Sequence, residues 1–188
     1  RFFSIAIDAC NKAVAQASER VLPCEFQLED WLKSPDSAPD DNVLSVASIS
    51  LGLIQVTQFA HFEYLNQQGF DREKMLNLTA ASSGHSQGLI PAAFTALSLT
   101  GNSYEEALSL FIEYLFLMGI RAQEVHPTLT AADEETSKSE TLGSKNPAPM
   151  VAVLGLSHEE IESKVNDVNS KFNEVDKIYV SLYNSPSN

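Results

Sequence analysis

Apolar residues recur every three to four positions in three long stretches of the chain, the spacing that places them on one face of an amphipathic helix. The first stretch covers residues 2–21, the second begins at Ser50 and stops at Gly69, and the third runs from Ser103 to just before Pro127. The pattern therefore predicts three long helices, each with one buried face.

Two of these stretches also indicate which side chains are buried. In the second stretch the expected buried face consists of Leu51, Ile54, Phe59, Phe62 and Leu65. In the third stretch it consists of Leu108, Phe111, Leu115 and Met118. A Ser-x-x-Glu spacing at Ser103, and again at Ser157, predicts a capping box at the start of a helix.

Shorter apolar stretches predict strands. Residues 43–46 and 75–80 are expected to be extended, the second of them as a buried strand. Residues 150–154 and 177–183 are predicted as strands on either side of the helix that begins at Ser157. The end of the chain therefore has a β-α-β order.

Residues 128–149 are polar and form the predicted boundary between two domains of the chain. We expect residues 1–127 to form one domain, residues 128–149 to link it to the next, and residues 150–188 to begin a second domain.

Composition and charge narrow the class of protein. Of the 188 residues, 44% are hydrophobic and only 8 are Gly and 8 are Pro, as in a folded globular chain that can bury a sizeable core. The formal net charge is -13. This charge argues against nucleic acid or an anionic membrane as the partner, because both require clustered Lys and Arg.

Cysteine usage and the start of the chain bear on its location. Cys10 and Cys24 are the two cysteines, and their spacing fits neither a metal site nor a disulfide framework. The first residues lack the pattern of a signal peptide, and no apolar run approaches a membrane span. We therefore expect a reducing, cytoplasmic location. Because the chain begins without Met, we also expect it to be part of a longer protein.

Residues 84–88 have the G-x-S-x-G pattern of a nucleophile elbow, which presents a serine at a tight turn between a strand and a helix. A glycine on each side of Ser86 is expected to remove a Cβ that would clash with neighbouring backbone. Residues 75–80 would be the strand, and the helix would begin near Leu89 with Pro91 in its first turn. A Gly/Ser-rich turn without chemistry has the same pattern, so the context of the motif matters.

Five blocks extend the pattern over nearly the whole chain: WLKSP at residues 31–35, IQVTQFAH at 54–61, GHSQGL at 84–89, FLMGIRAQE at 116–124 and PAPM at 147–150. Together they resemble the acetyltransferase domain of fungal-type multifunctional fatty acid synthases. Gln87, directly after the serine, and the ordered later blocks separate this group from generic lipases and esterases.

The resemblance implies an α/β fold. Residues 1–127 would be part of an α/β-hydrolase-like acyltransferase core that carries an inserted ferredoxin-like subdomain. Residues 150–188 would be the first part of that subdomain, in line with the predicted β-α-β order.

The resemblance also implies roles for the elbow. Ser86 would attack the thioester of acetyl-CoA and pass the acetyl group to the phosphopantetheine thiol of an acyl carrier protein. The backbone N–H of Gln87 would be one donor of the oxyanion hole. We expect the second donor before residue 1 and the catalytic histidine after residue 188, so residues 1–188 alone are expected to be inactive.

The histidines within the chain are not expected to act as the base. His85 is adjacent to the serine, so its side chain should leave the elbow in a different direction, and we place it in the substrate pocket. His61 and His126 are expected at helix ends or behind the pocket, and His158 in the first turn of a surface helix.

Two further pocket residues follow from the resemblance. Met118 falls where malonyl-specific relatives carry an arginine that pairs with the free carboxylate of their substrate, and a thioether suits an uncharged acyl group. Arg121 lies about one turn later, and we expect it beside the pocket, in an ion pair with Glu124.

The sequence therefore predicts an acyltransferase that loads acetyl or another short neutral starter onto acyl carrier protein within a type I fatty acid synthase. Its partners would be the carrier protein and the other domains or subunits of the synthase, and no metal or covalently bound cofactor is expected. Three alternatives stay open: the starter-loading domain of a polyketide synthase, a serine thioesterase or other hydrolase that uses water as the acceptor, and a non-catalytic scaffold segment.

Overall fold

The computed structural model describes residues 1–97, 99, 101–125, 133–141, 143, 150–174 and 177–185. The chain divides into two compact units, Arg1–Thr130 and Ala131–Asn188. The helices of the first unit are α1 (Phe2–Val14), α2 (Leu28–Lys33), α3 (Asp41–Leu44), α4 (Ala47–Gln67), α5 (Arg72–Leu78), α6 (Leu89–Ala96) and α7 (Gly101–Val125). Those of the second unit are α8 (Asp133–Thr141) and α9 (His158–Asn169). Among the described residues the fold is mostly helical and no β-strand is assigned.

Helices α4 and α7 form the centre of the first unit and approach each other closely at two glycines. A Cβ on Gly52 would lie 1.9 Å from the ring of Phe116, which is fully buried. A Cβ on Gly119 would lie 2.2 Å from the backbone oxygen of Ala47. The contact is possible only because neither position carries a side chain, since protein interiors are packed without spare volume.

Helix α1 lies against α7 through a stripe of small residues. The buried members of this stripe are Ala6, Ala9, Cys10 and Ala13. At its edge Arg1 pairs with Glu105, and Lys12 with Glu113, each at 2.6 Å. Ion pairs with an exposed partner contribute about 0–1 kcal/mol, so the buried stripe contributes most of the stability of this contact.

Phe94 anchors helix α6. Its ring contacts Phe59 of α4 with 4.6 Å between centroids, and Tyr104 and Phe111 of α7 at 5.3 and 5.1 Å. Aromatic pairs at this spacing contribute about 0.5–1.5 kcal/mol each beyond the area they bury. Because α6 follows residues 84–88 directly, this cluster fixes the position from which the elbow helix starts.

The three predicted long helices are present with different bounds. Helix α1 ends at Val14, well before residue 21, and α4 begins at Ala47, three residues before the predicted start. The predicted stop at Gly69 is confirmed, because Gly69 has a φ of +88° and the N–H of Phe70 donates to the carbonyl of Leu65 at 3.1 Å. The predicted cap at Ser103 is wrong, since α7 already begins at Gly101.

The strand predicted at residues 75–80 is wrong, because residues 75–78 belong to helix α5. The carboxylate of Asp71 accepts the N–H of Lys74 at 2.8 Å and caps this helix. The Arg, Glu, Lys, Met and Leu residues that follow are strong helix formers. Residues 43 and 44 are also not extended, because they belong to the short helix α3, which Asp40 caps by accepting the N–H of Val43 at 3.2 Å; of the predicted segment, Val46 is extended.

The buried face of α4 is rotated from the predicted one. Ile54, Phe62 and Leu65 are exposed, whereas Phe59 is buried as predicted. The other buried residues of the helix are Ser48, Ile49, Gly52, Gln55 and Val56. The close approach at Gly52 therefore decides which face of α4 meets α7. The largest apolar side chains of α4 do not decide it.

Helix α7 follows its prediction more closely. Leu108 and Leu115 are buried, as predicted, and Phe111 is half-buried. The fourth predicted member, Met118, is 37% exposed, so its expected burial is wrong.

In the second unit, α9 begins at the capping box predicted at Ser157. The N–H of Ser157 donates to Glu160 Oε2 at 2.8 Å, and the N–H of Glu160 donates to Ser157 Oγ at 3.3 Å. At its C-terminal end, the side-chain amide of Asn169 bonds both the N–H and the carbonyl of Ile178, at 2.9 and 2.8 Å. No strand is assigned at residues 150–154 or 177–183. The ferredoxin-like subdomain and the boundary at residues 128–149 stay predictions.

We expect Gly119→Ala to lower the free energy of unfolding by roughly 1–3 kcal/mol, the usual cost of forcing an extra methyl group into a packed contact. The added Cβ meets the backbone oxygen of Ala47, which cannot rotate away as a side chain would. Chemical denaturation would measure the loss.

The control is Gly88→Ala, where an added Cβ meets no atom within 4 Å and φ is -60°. Equal stability of the two variants would show that α4 and α7 do not depend on this close contact.

Candidate active site

Ser86 has an unusual backbone conformation. Its φ is +51°, and among the described residues it is the one non-glycine residue with a positive φ. This left-handed conformation costs an L-residue about 1–2 kcal/mol. Strain of this kind persists only where the surroundings enforce it, and it concentrates at functional sites.

The two glycines of the motif have different roles. A Cβ on Gly84 would lie 2.0 Å from the carbonyl oxygen of Gly88 and 2.6 Å from the backbone nitrogen of Leu89. The loop therefore closes on itself at Gly84, and no larger residue fits there. At Gly88 the space is open, so the expectation of a backbone clash on both sides of the serine holds for Gly84 and is wrong for Gly88.

The turn leads directly into helix α6. A single 3-10 turn, Ser86–Gly88, is closed by the N–H of Gly88, which donates to the carbonyl of His85 at 2.9 Å. Pro91 lies in the first turn of α6, as predicted. Within the described part of the chain the backbone N–H of Gln87 has no hydrogen-bond acceptor, so it is available to an oxyanion.

Side-chain hydrogen bonds hold the loop on both sides of the serine. The amide of Gln87 donates to the carbonyl of Leu51 on α4 at 2.6 Å. The hydroxyl of Ser82 donates to the carbonyl of Ala92 on α6 at 2.9 Å. The elbow is thus fastened to two helices whose positions the core determines.

A cavity of about 400 Å³ lies beside the elbow. Its walls come from Gln58, His61 and Phe62 of α4, from Gly84 and from Gly88, with further residues of the loop and of α6. Ser86 itself is exposed. A substrate therefore has room to approach the loop that carries the hydroxyl.

Within the described residues, no histidine forms a hydrogen bond with the Ser86 hydroxyl. His61 lines the cavity beside the elbow, and His85 is exposed. His158 is the first residue of α9, as predicted; its ring nitrogen bonds the carbonyl of Ser185 at 2.6 Å. His126 lies outside the described residues.

Met118 and Arg121 lie on α7 and are not among the residues that line the elbow cavity. A chain of contacts nevertheless links this part of α7 to the elbow. Gly119, next to Met118, packs against Leu51, where its Cβ would lie 3.2 Å from that of Leu51. Leu51 in turn binds Gln87 through its carbonyl.

Arg121 forms the ion pair that the sequence predicts. Its guanidinium donates to both carboxylate oxygens of Glu124, at 2.8 and 2.7 Å. The same nitrogen, Nη1, makes both bonds, and the arginine side chain is exposed.

The described residues offer neither a metal site nor a membrane span. No group of three or more His, Cys, Asp or Glu side chains among them lies close enough together to hold a metal ion. None of the helices in this part of the chain has both the length and the apolar character needed to cross a membrane. Cys10 and Cys24 are both free thiols, and burial raises the pKa of Cys10 to about 12.

Sequence reasoning missed the bond between Gln87 and Leu51. No sequence motif predicts a side-chain hydrogen bond to a main-chain carbonyl that lies 36 residues away. The one available signal was the amide at Gln87 itself, a polar group at a position where it would be half-buried and in need of a partner.

Comparison with known proteins places the whole chain in one family. The model of a family described as "Starter unit:ACP transacylase in aflatoxin biosynthesis" matches residues 1–188. The chain is 32% identical over 158 residues to the fatty acid synthase subunit beta of Schizosaccharomyces pombe, covering 84% of this chain and 8% of that protein.

Two further relatives match most of the chain as well. The fatty acid synthase subunit beta of Saccharomyces cerevisiae is 28% identical over 172 residues, covering 91% of this chain and 8% of that protein. The fatty acid synthase beta subunit aflB of Emericella nidulans is 27% identical over 156 residues, covering 81% of this chain and 7% of that protein. The chain thus spans less than a tenth of each of these relatives. By its match over residues 1–188, the chain belongs to the starter unit:ACP transacylase family.

Proposed function

We propose that the chain carries the nucleophile of an acyltransferase, which moves a starter acyl group from coenzyme A to the phosphopantetheine thiol of an acyl carrier protein. The observation that carries this proposal is the left-handed backbone of Ser86 in a closed turn at the head of a helix. Membership of the family supports the same reaction class.

The reaction takes place in two steps at Ser86. The hydroxyl oxygen attacks the thioester carbonyl as a base removes its proton, and the thiol of coenzyme A leaves with that proton. The carrier thiol then attacks the acyl-serine, gives up its own proton to the base, and the serine oxygen is protonated as it leaves. Ser86 is regenerated, and one thioester has replaced another.

Each step passes through a tetrahedral oxyanion, which the backbone N–H of Gln87 would stabilise. That N–H is unpaired within the described residues and stands at the start of the turn into α6. Removal of one oxyanion donor typically costs about 10²–10³ in rate. We propose that the second donor and the catalytic histidine come from other parts of the full-length protein.

We also propose that the acyl group is acetyl or another short uncharged starter. Met118 is partly exposed on α7, and the arginine that lies nearest along the helix, Arg121, is already bound to Glu124. An uncharged acyl group matches the Met118 thioether, whereas burying a free carboxylate against it without a hydrogen-bond partner costs free energy. His85, exposed beside Ser86, would lie at the entrance to the pocket.

The complete fold, in this proposal, is an α/β-hydrolase-like core with an inserted ferredoxin-like subdomain. Thr79 and His85 have extended backbone conformations, and no backbone hydrogen bond pairs residues 80–84 with another described segment. Unpaired backbone groups of this kind can pair with a neighbouring strand. Strands from other parts of a longer protein would supply such neighbours.

A second candidate is starter loading for polyketide synthesis. The family description names aflatoxin biosynthesis, and the chemistry at the serine would be the same. A hydrolase differs in its acceptor, because water would replace the carrier thiol. Measuring how acetyl-CoA partitions between carrier thiol and water in the full-length protein separates transferase from hydrolase.

Ser86→Ala should abolish acylation of the full-length protein by radiolabelled acetyl-CoA, with a loss on the order of 10³-fold or more, as for other enzymes that lose their nucleophile. Peptide mapping of the wild-type protein should place the label on Ser86.

The matched control is Ser103→Ala, which removes an exposed hydroxyl from α7 and should leave labelling intact. Wild-type labelling of the Ser86→Ala protein would refute the assignment of the nucleophile.

Met118→Arg should shift selectivity from acetyl towards malonyl by about tenfold or more, since a hydrogen bond to a charged group contributes about 1.5–3 kcal/mol. The measurement is a competition between acetyl-CoA and malonyl-CoA for the full-length protein.

Arg121→Met serves as the comparison, and its selectivity should not change, because Arg121 lies about one turn beyond Met118 and pairs with Glu124. An unchanged ratio in Met118→Arg would place Met118 outside the acyl pocket, and a changed ratio in Arg121→Met would implicate Arg121 instead.

A further inference from the structure

A second cavity, of about 240 Å³, lies between helices α4, α5, α6 and α7. Phe62, Leu76, Phe94 and Leu99 contribute apolar walls. Phe62 also borders the elbow cavity, but Ser86 and its two flanking glycines are not part of this lining. The cavity is therefore a separate site, and binding there does not depend on the proposed function of Ser86.

One end of this cavity is polar. Among the described residues that line it, Arg72 carries the only charge, and its guanidinium carbon lies 3.1 Å from the centroid of the Tyr104 ring. One guanidinium nitrogen donates to Glu63 at 3.1 Å. The arginine is thus held in place by a ring on one side and by a carboxylate on the other.

The arrangement leaves donors for a ligand. A guanidinium has five N–H donors in a planar fork, and the bond to Glu63 uses one nitrogen. Burial raises the pKa of the Tyr104 phenol above its ordinary value, and a phenol hydroxyl can donate a hydrogen bond as well. Such a fork matches a carboxylate, which accepts two parallel hydrogen bonds.

The size of the cavity limits what fits. A cavity of about 150 Å³ lined by apolar side chains accommodates benzene, which has six carbon atoms. By the same ratio, this cavity holds up to about ten carbon atoms. Each methylene group buried against its walls raises the binding affinity about fourfold.

We propose that this cavity binds a straight-chain monocarboxylic acid of up to about ten carbon atoms, with the carboxylate on Arg72 and the alkyl chain along Phe62, Leu76 and Phe94. Helix α5 leads into the loop that carries Ser86, and α6 leaves it. A ligand held between them would contact the two helices that enclose the elbow.

The test uses the full-length protein and a photoreactive diazirine analogue of octanoic acid. After irradiation and digestion, mass spectrometry should find the label in peptides that contain residues 72–79 or 92–99. Octanoate should displace the analogue at a concentration about tenfold or more below that of octanol, which lacks the charge. Affinity should rise about fourfold for each methylene added between butanoate and octanoate.

Variants connect the label to the cavity. Leu76→Trp should fill the cavity and remove labelling, whereas Leu110→Trp, at an exposed position on α7, should leave it unchanged. Arg72→Met should weaken octanoate about tenfold. Glu63→Gln retains the arginine and removes the competing carboxylate, so it should bind octanoate more tightly and serves as the test if Arg72→Met does not fold.

Two results would overturn the proposal. Labelling that is absent from both peptides, or that persists in folded Leu76→Trp, would mean that the cavity is not the binding site. Displacement by octanol at the same concentration as octanoate would mean that the site is apolar without preference for an acid.

Discussion

The approach of Gly84 to the backbone of Gly88 is the contact on which the candidate site depends. The loop closes so tightly at this point that a single methyl group on residue 84 would overlap the carbonyl oxygen of Gly88. With the ends of the turn held so close, Ser86 adopts a left-handed backbone that costs about 1–2 kcal/mol. The rest of the unit must offset this cost.

The offset comes from the helices that hold the turn. Gln87 is bonded to α4 and Ser82 to α6, so both ends of the loop are fixed. Helix α6 is in turn held by the aromatic cluster around Phe94, and α4 by its close contact with α7 at Gly52. The contact between α4 and α7 at Gly52 thus helps to hold Ser86 in position, because α4 binds the loop that carries this serine.

The sequence predicted the features that depend on local chemistry. The turn at residues 84–88, Pro91 in the first turn of α6, the capping box at Ser157 and the pair of Arg121 with Glu124 all follow from residues within a few positions of one another. Such contacts are governed by turn, capping and helix-spacing rules that a sequence displays directly.

Features that depend on distant segments were not predictable in the same way. The strand expected at residues 75–80 needs a partner strand, and without one the cap at Asp71 and the helix formers after it give α5. The buried face of α4 is set by Gly52 meeting Phe116, and apolar periodicity cannot reveal which small residue a neighbouring helix will meet. The bond from Gln87 to Leu51 joins residues far apart in the chain for the same reason.

The dependence of the nucleophile on the Gly84 contact can be measured as the rate of single-turnover acylation by acetyl-CoA, compared between Gly84→Ala and Gly88→Ala in the full-length protein. We expect Gly84→Ala to be acylated about 10²-fold more slowly, because misplacement of a reacting group by about 1 Å has a cost of that order. Gly88→Ala should lose much less, since its added methyl group meets open space. Acylation of a folded Gly84→Ala protein at the wild-type rate would contradict the claim that this contact positions the nucleophile.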